Sequence, residues 1–410
     1  MLQLNPRTAS RMLNVARHAE QPQHADTDGR TPLNVPVYEA ELWTSRQRQA
    51  NSIHEISYRA CFKPQLPAYF IERLTGEGDV VYDPFGGRGT TAVEAALHGR
   101  AVLTNDVNPL SAVLTRPRLE LPSLGDIDVR LRSLRFAARP RSGLDLSMFF
   151  HPDTEYEILG LREHLYRRLH AGKEDAVDRW IRMVATNRLT GHSPGFFSVY
   201  TLPPNQAVSP EDQTRINARL RQEPEYRDIR ALILKKSMQL QGRLSAADRW
   251  RLRAAAESVR YLEGDAAATP EIADASVHLT VTSPPFLDVV QYARDNWLRC
   301  WFNGLDADAI SARITMSRTV EEWAVEMARV FRELYRVTRP QGWVAFEVGE
   351  VRRGSVKLEE AVAPLGIAAG FECAAILINA QSFTKTANIW GVANNRLGTN
   401  SNRIVLFKKP

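Results

Sequence analysis

Cysteine is scarce in this chain: Cys61, Cys300 and Cys373 are the only three in 410 residues. They lie far apart and form no CxxC pair, which argues against a secreted disulfide framework and against a zinc knuckle. The nine histidines form no HxxxH or HxxE pair, so no metal site is expected. No apolar run approaches ~18 residues, so neither a membrane span nor a membrane partner is expected. The first residues, MLQLNPRTASRMLNVARH, carry charges where a signal peptide needs an apolar core. The expectation is a soluble, cytoplasmic protein. Charge of one sign is not abundant either: 53 Lys and Arg face 47 Asp and Glu, a net of +6. That balance permits a polyanionic partner without requiring one. With 44% hydrophobic residues the chain is not a disordered one, and its length suffices for a large α/β domain plus a second unit.

Residues 1–36 are polar and read as a flexible N-terminal arm. From Asp79 the pattern becomes strand, glycine turn, helix, strand. GDVVYD is a short apolar run ending in a carboxylate, FGGRGTT is the turn, AVEAALHGR is a helix closed by Gly99, and AVLTND is the second strand. This is a β-α-β unit within residues 37–112. The alternation then stops. Residues 113–258 show mostly helical periodicity, as in YEILGLREHLYRRLH, around a loop-rich piece, GHSPGFFSVYTLPPNQAVSP. Residues 113–260 hold 26 Lys and Arg against 18 Asp and Glu, so the chain's whole excess of positive charge falls there. That insert reads either as a solvated helical surface or as one facing phosphates. Within it, Phe196, Phe197, Tyr200 and Asn205 are candidates for base contact, with packing the more common role of such loops. Residues 259–410 resume the α/β pattern with VRYLEGD, VHLTVTSPP, GWVAFEVGE, CAAILINA and NRIVLFKK. The expected fold class is α/β: a Rossmann-like sheet flanked by helices and interrupted by a mainly helical insert.

The turn Asp83-Pro84-Phe85-Gly86-Gly87-Arg88-Gly89-Thr90 joins the first strand to the first helix. Glycines let a backbone approach a ligand closely. A phosphate loop would avoid the leading carboxylate, and no Gly-Lys-Ser/Thr follows. Asp83 instead suits a cationic ligand such as the ammonium and sulfonium groups of S-adenosylmethionine; the plain alternative is a tight turn with a capping Asp. Asp106 ends the next strand, where ribose hydroxyls are bound in such units. Asp265 ends the strand that resumes the sheet. It is a candidate acceptor for an adenine amine or, alternatively, a helix N-cap.

Thr282-Ser283-Pro284-Pro285-Phe286 follows the strand VHLTV. Two prolines at a strand end remove backbone donors and fix φ, which makes a rigid corner with an outward carbonyl on Pro284. Such a corner suits an exocyclic base amine. Ser283 Oγ and the Pro284 carbonyl would accept its N–H hydrogens and free its lone pair for attack on a sulfonium methyl. Phe286 would stack on a base flipped out of its helix. No general base is evident, so the amine's proton is expected to leave to solvent. Farther on, Trp297 and Trp301 share a helical face and read as a packing stripe. Tyr292 is a weaker candidate for the base pocket, and Lys385-Thr386 and Gly398-Thr399-Asn400 either line the target cleft or simply form a hairpin.

At these residues the chain resembles the amino-methyltransferases of DNA bases. DPFGGRGTT is similar to the family's motif I, TSPPF to its motif IV, and Phe62-Lys63-Pro64 to its motif X. A serine opening motif IV is typical of the N4-cytosine members; adenine-N6 members more often carry Asn or Asp. The resemblance implies cofactor contacts from Phe62, Lys63, Pro64, Asp83, Pro84, Phe85, Gly86, Gly87, Gly89, Thr90, Asp106 and Asp265. It implies Ser283, Pro284, Pro285 and Phe286 as the catalytic set. It further implies S-adenosyl-L-methionine as cofactor, double-stranded DNA as partner, and the insert 113–258 as the target-recognition domain. A cognate restriction endonuclease is a candidate companion. Two departures stand out: Gln341 occupies a position where glycine is common, and the insert precedes Asp265. A cytosine-C5 enzyme is excluded, because no Pro-Cys dipeptide exists. Adenine-N6 methylation, RNA base methylation and a non-catalytic DNA-binding module are the remaining alternatives.

Overall fold

Short apolar runs ending in polar residues become strands that bring those polar ends to one edge. The computed structural model describes residues 35–40, 42, 50–58, 61–136, 143–201, 207–285, 292–314, 317, 319–348, 350–351, 356–380 and 401–410. The strands are β1 (Val37–Ala40), β2 (Val80–Asp83), β3 (Ala101–Asn105), β4 (Arg260–Leu262), β5 (Val277–Thr282) and β6 (Thr338–Val348). A small antiparallel pair, β7 (Glu350–Val351) and β8 (Val356–Lys357), precedes β9 (Glu372–Ala380) and β10 (Ser401–Lys408). Eight strands form one mixed sheet in the order β1-β9-β10-β6-β5-β2-β3-β4. β10 runs antiparallel to β6 and β9, while β2, β3, β4, β5 and β6 are parallel. From β2 the chain moves outward to β3 and β4, then returns to β5 on the other side. The strand order therefore reverses between β2 and β5, the place where open α/β sheets bind ligands.

Side chains alternate across the sheet with period two. Tyr82, Val344, Phe346, Val405 and Phe407 face one layer, formed with Trp323, Met327 and Phe331 of a long helix and Leu358 and Val362 of another. Val81, Leu279, Val281, Ala345, Ile404 and Leu406 face the other. That second layer starts with helices α1 (Gln65–Leu74) and α2 (Thr90–Leu97) and continues through the insert. The insert holds α3 (Leu110–Leu119), α4 (Leu124–Ser133), α5 (Pro152–His170), α6 (Ala176–Arg188), α7 (Pro210–Leu220), α8 (Ile229–Gln241) and α9 (Ala246–Ala256). It occupies the crossover from β3 to β4. Leu114, Ile127, Ile158, Trp180, Ile233 and Leu252 are buried in the same cluster as Val81 and Val281. The insert thus shares the sheet's core, and residues 112 and 113 lie within α3.

Much of the insert's positive charge is answered inside it. Arg130 and Arg168 both pair with Asp175 and with the fully buried Asp178, Arg179 pairs with Glu120, and Arg182 with Glu174. Phe196 and Phe197 are buried, and the Arg188 guanidinium lies over the Phe196 ring at 3.9 Å. These two rings are packing elements, whereas Tyr200 is half-buried. Asn205 lies outside the described residues. Helices α10 (Tyr292–Asn303), α11 (Ala307–Arg313), α12 (Val320–Val337) and α13 (Leu358–Ala368) complete the fold. On α10, Trp297 packs against Phe149 and donates to the Val208 carbonyl at 3.2 Å, and Trp301 lies under Arg162, as a packing stripe should. Among the described residues no helix is long and apolar enough to cross a membrane.

Candidate functional site

A cavity of about 1000 Å³ opens at the carboxyl ends of β2, β3, β4 and β5. Pro84, Phe85 and Gly87 line it from the glycine turn, Asp106 and Asn108 from the end of β3, and Gly264 to Ala266 from the end of β4. Ser283 and Pro285 line it from the end of β5. Two segments so far apart in sequence meet because the sheet order reverses between their strands.

The glycine turn is shaped by lack of room. A Cβ on Gly86 would fall inside the contact distance of Thr104 Oγ1, and Gly89 sits at φ +74° against Thr115. The Gly86 N–H donates to the Asn105 carbonyl at 2.8 Å, and Gly89 N–H closes the turn on the Gly86 carbonyl at 2.6 Å. Thr90 then opens α2 and receives Arg88 Nε at 3.1 Å. The rest of the Arg88 guanidinium donates to the carbonyls of Ile56 (3.0 Å) and Phe62 (3.3 Å). Arg118, fully buried, donates in turn to the Arg88 carbonyl. These two arginines fasten the segment before α1 onto the turn. Among Phe62, Lys63 and Pro64, none lines the cavity; Tyr58 from the same segment does.

Asp106 faces the cavity with both oxygens engaged by backbone: Gly87 N–H reaches one at 2.7 Å and Asn108 N–H the other at 2.8 Å. Burial pushes its carboxyl up to about 6, against the downward pull of those two N–H groups. Each oxygen keeps a second lone pair, so the carboxylate can still accept from hydroxyls.

Asp83 is placed differently from the ligand contact expected of it. It is 1% exposed and does not line the cavity; it lies beneath the turn. Its Oδ1 accepts the Phe85 N–H at 3.1 Å and the Thr282 hydroxyl at 2.6 Å. Burial pushes this carboxyl up to about 6, with Thr282, the Phe85 N–H and Thr91 pulling it back. Asp83 is therefore a brace between β2 and β5. Asp265 lines the cavity, but its Oδ1 accepts the Ala267 N–H at 2.9 Å and its Oδ2 pairs with Arg329 at 3.1 Å. These bonds close a turn rather than cap a helix, since no helix lies between β4 and β5, and they add an ion pair at the cavity rim.

The Ser-Pro-Pro corner is braced at both ends. Thr282 is held by Asp83, and the Pro285 carbonyl accepts the indole N–H of buried Trp323 at 3.0 Å. The register that pairs Thr282 with Phe346 brings buried Glu347, near the end of β6, level with Ser283. Pro284 is buried between these anchors, and Phe286 lies outside the described residues, as do Lys385-Thr386 and Gly398-Thr399-Asn400. Sequence reasoning missed Glu347, Trp323, Tyr58 and Asn105. Asn105 is 1% exposed and its amide bridges the carbonyls of Pro84 (3.2 Å) and Gly264 (3.0 Å), tying three strand ends together. The available signal was an acid inside the apolar run WVAFEV and a polar residue just before Asp106.

Sequence comparison adds independent findings. The Type II methyltransferase M.MvaI of Kocuria varians is 27% identical over 128 residues, 30% of this chain and 25% of that protein. The Type II methyltransferase M.MjaII of Methanocaldococcus jannaschii is 33% identical over 75 residues, 18% of this chain and 14% of its own. The chain therefore spans no more than a quarter of the length of these curated relatives. A SAM-dependent methyltransferase from Methanosarcina mazei aligns structurally over 83% of this chain and 96% of its own, at 11% identity and a TM-score of 0.34. Residues 11–114 match the sequence profile of the N6/N4 family described as DNA methylase. Over that segment the chain is similar to the N6/N4 DNA methylase family.

Proposed function

We propose that this chain is a DNA methyltransferase that moves a methyl group from S-adenosyl-L-methionine to the exocyclic N4 amine of a flipped cytosine. The observation that carries the reading is that one cavity is lined both by the glycine turn with Asp106 and by Ser283 and Pro285 of the rigid corner.

The residues present fit the cofactor. The cavity, about 1000 Å³, is large enough for a nucleoside-sized ligand, and a carboxylate with spare lone pairs faces it at Asp106. Phe85 and Ala266 add apolar lining, and the crowding at Gly86 forbids any side chain there. When bound, the cofactor would supply an electrophilic methyl group. Asp106 would accept ribose hydroxyls. Ser283 Oγ and the Pro284 carbonyl would accept the amine hydrogens and hold the nitrogen in line, and Phe286 would stack on the base. Braces at Asp83 and Trp323 let the corner act without rearranging, which is where positioning gains its rate. Asp83 supports this arrangement from below and is withdrawn from the cofactor contacts; Asp265 serves the cavity rim. Residues 113–258 would face the DNA, with residues 1–36 as an arm.

Serine at position 283 favours cytosine over adenine. The test is transfer of a labelled methyl group from S-adenosylmethionine to unmethylated plasmid DNA by the full chain. Label on DNA that disappears in Ser283→Ala is the expected result. Label on RNA alone, or on neither, would overturn the reading.

A further inference from the structure

We propose that Arg188 and Lys236, in the insert beside the cavity, form a phosphate-binding site that takes a phosphodiester of the DNA strand. This rests on the DNA-methyltransferase reading above and adds to it a point where the DNA backbone is held.

The two side chains come from different helices and flank one short segment. Ser52 Oγ donates to the Leu240 carbonyl of α8 at 2.9 Å. Farther along the same segment, the Ser57 N–H donates to the Asn187 side chain of α6 at 2.6 Å, and the Asn187 amide donates back to the Ser57 carbonyl at 3.2 Å. Lys236 lies one helical turn before Leu240, and Arg188 follows Asn187, so the segment 52–57 runs from one to the other. The start of α8 closes the far side. Arg227, just before it, donates to the Phe196 carbonyl at 2.9 Å, and the Arg188 guanidinium lies over the Phe196 ring. Arg299 of α10 donates to the Ser57 carbonyl at 3.2 Å, and the next residue, Tyr58, lines the cavity. The site is therefore one residue removed from the cavity wall.

Buried Arg182 is answered by Glu174, and Arg130 and Arg168 by Asp175 and Asp178. Arg188 and Lys236 have no such acid. They are 8% and 7% exposed. Arg188 Nε donates to the Asn187 carbonyl at 3.1 Å, but its two terminal nitrogens have no acceptor among the described residues. Lys236 has neither hydrogen bond nor ion pair among the described residues. Glu55, which is exposed, acts on Lys236 only from beyond ion-pair reach, and Asp295 acts on Arg299. The nitrogen tips are not sealed, so the stems are packed while the charges stand at an opening. Burial, then the charge on Arg188, pushes the Lys236 ammonium down to about 8, with Glu55 pulling it back. Two like charges with little access to water and no counter-ion are costly to hold. An anion with several acceptor oxygens relieves both. A guanidinium offers it a fork of donors and an ammonium a point charge, which is how phosphate is held. The phosphodiester is the form of that anion which stands next to a target base, and this site adjoins the cavity that would take the base.

The experiment uses the full chain and a fluorescent DNA duplex of random sequence, with affinity read by anisotropy across a salt series. Lys236→Met keeps the stem and removes the charge; Arg188→Gln removes the fork. Each should bind about tenfold more weakly than wild type at about 0.1 M salt, with a slope of log K against log salt shallower by about one. Urea unfolding supplies a readout that a structural role would move the other way. Lys236→Met deletes an unanswered buried charge, so its stability should equal or exceed that of wild type. A wild-type slope in Lys236→Met would overturn the proposal, whether or not Arg188→Gln folds. So would a Lys236→Met chain less stable than wild type, because the ammonium would then have its partner within the fold. Inorganic phosphate that raises the wild-type melting temperature, with duplex slopes equal in wild type and Lys236→Met, would reveal a free-anion site and overturn the assignment to DNA. Wild type that binds no duplex even at low salt would instead sink the DNA-methyltransferase reading, and this site with it.

Discussion

The Thr282 hydroxyl donates to Asp83 Oδ1 at 2.6 Å, and this one bond joins the strand that ends in the glycine turn to the strand that ends in the Ser-Pro-Pro corner. Both groups are buried, so neither finds water if the other is removed. Thr282→Val keeps the shape and deletes the donor. It should cost about 1–3 kcal/mol, the penalty for a buried acceptor left short, and Thr282→Ser should cost less. Denaturant unfolding of the two variants measures the difference directly.

Asp106 makes stability depend on pH in an unusual direction. Its carboxyl is held at about 6 in the folded protein against an ordinary 3.8, because it is buried. The folded state then binds the proton more tightly than the unfolded chain between those values. This contribution is fully present below about 3.8 and is lost as pH rises through about 6. Unfolding free energies of wild type minus Asp106→Asn should fall by a few kcal/mol, on the order of 3, from pH 4 to pH 7. A difference that stays flat or rises would show that Asp106 is ordinary in the cofactor-free protein. Bound ribose hydroxyls favour the ionised carboxylate, so cofactor affinity should rise with pH across the same window.

Gly86 tests the shape of the turn. A methyl group there would meet Thr104 Oγ1. Gly86→Ala should lose about 1–3 kcal/mol of stability through overpacking and should weaken cofactor binding. Because Thr104 Oγ1 has no hydrogen-bond partner among the described residues, Thr104→Ala frees the space at little cost. The double variant should recover much of both losses, a coupling that a double-mutant cycle with calorimetric cofactor titration reads out.

Much of this site was legible from residue order alone because strand ends in an α/β sheet converge by topology. The runs ending at Asp83, Asn105, Leu262 and Thr282 are recognisable by apolar content, and parallel pairing then forces their trailing residues to one edge. Which of those residues face the cavity was not legible. Asp83 and Asp106 look alike in sequence, yet one turns under the glycine loop toward Thr282 and the other turns out. Glu347 and Trp323 escaped because their roles depend on the register of β6 against β5 and on where α12 crosses, and both are non-local. The insert's helices were legible by period; their fusion with the sheet's core was not, since an apolar stripe does not name its partner.

Gln341 offers a test outside the site. It sits at φ +64° within β6, in the irregular stretch between the Val277–Thr338 and Leu279–Trp343 pairs, and its N–H donates to the Lys409 carbonyl at 3.0 Å. A side chain at positive φ costs about 1–2 kcal/mol relative to glycine. Gln341→Gly keeps the backbone donor and should raise the unfolding free energy by about 1 kcal/mol, with methyl transfer unchanged. Chemical denaturation of the variant checks it.

The central claim is the reaction at the Ser283 corner. Mass spectrometry of nucleosides from the DNA of cells expressing wild type, beside cells expressing Ser283→Ala, tests it most directly. The account predicts N4-methylcytosine with wild type and none with the variant. N6-methyladenine in its place would overturn the cytosine assignment, and DNA whose methylation is the same in both cells would contradict the reaction assigned to this site.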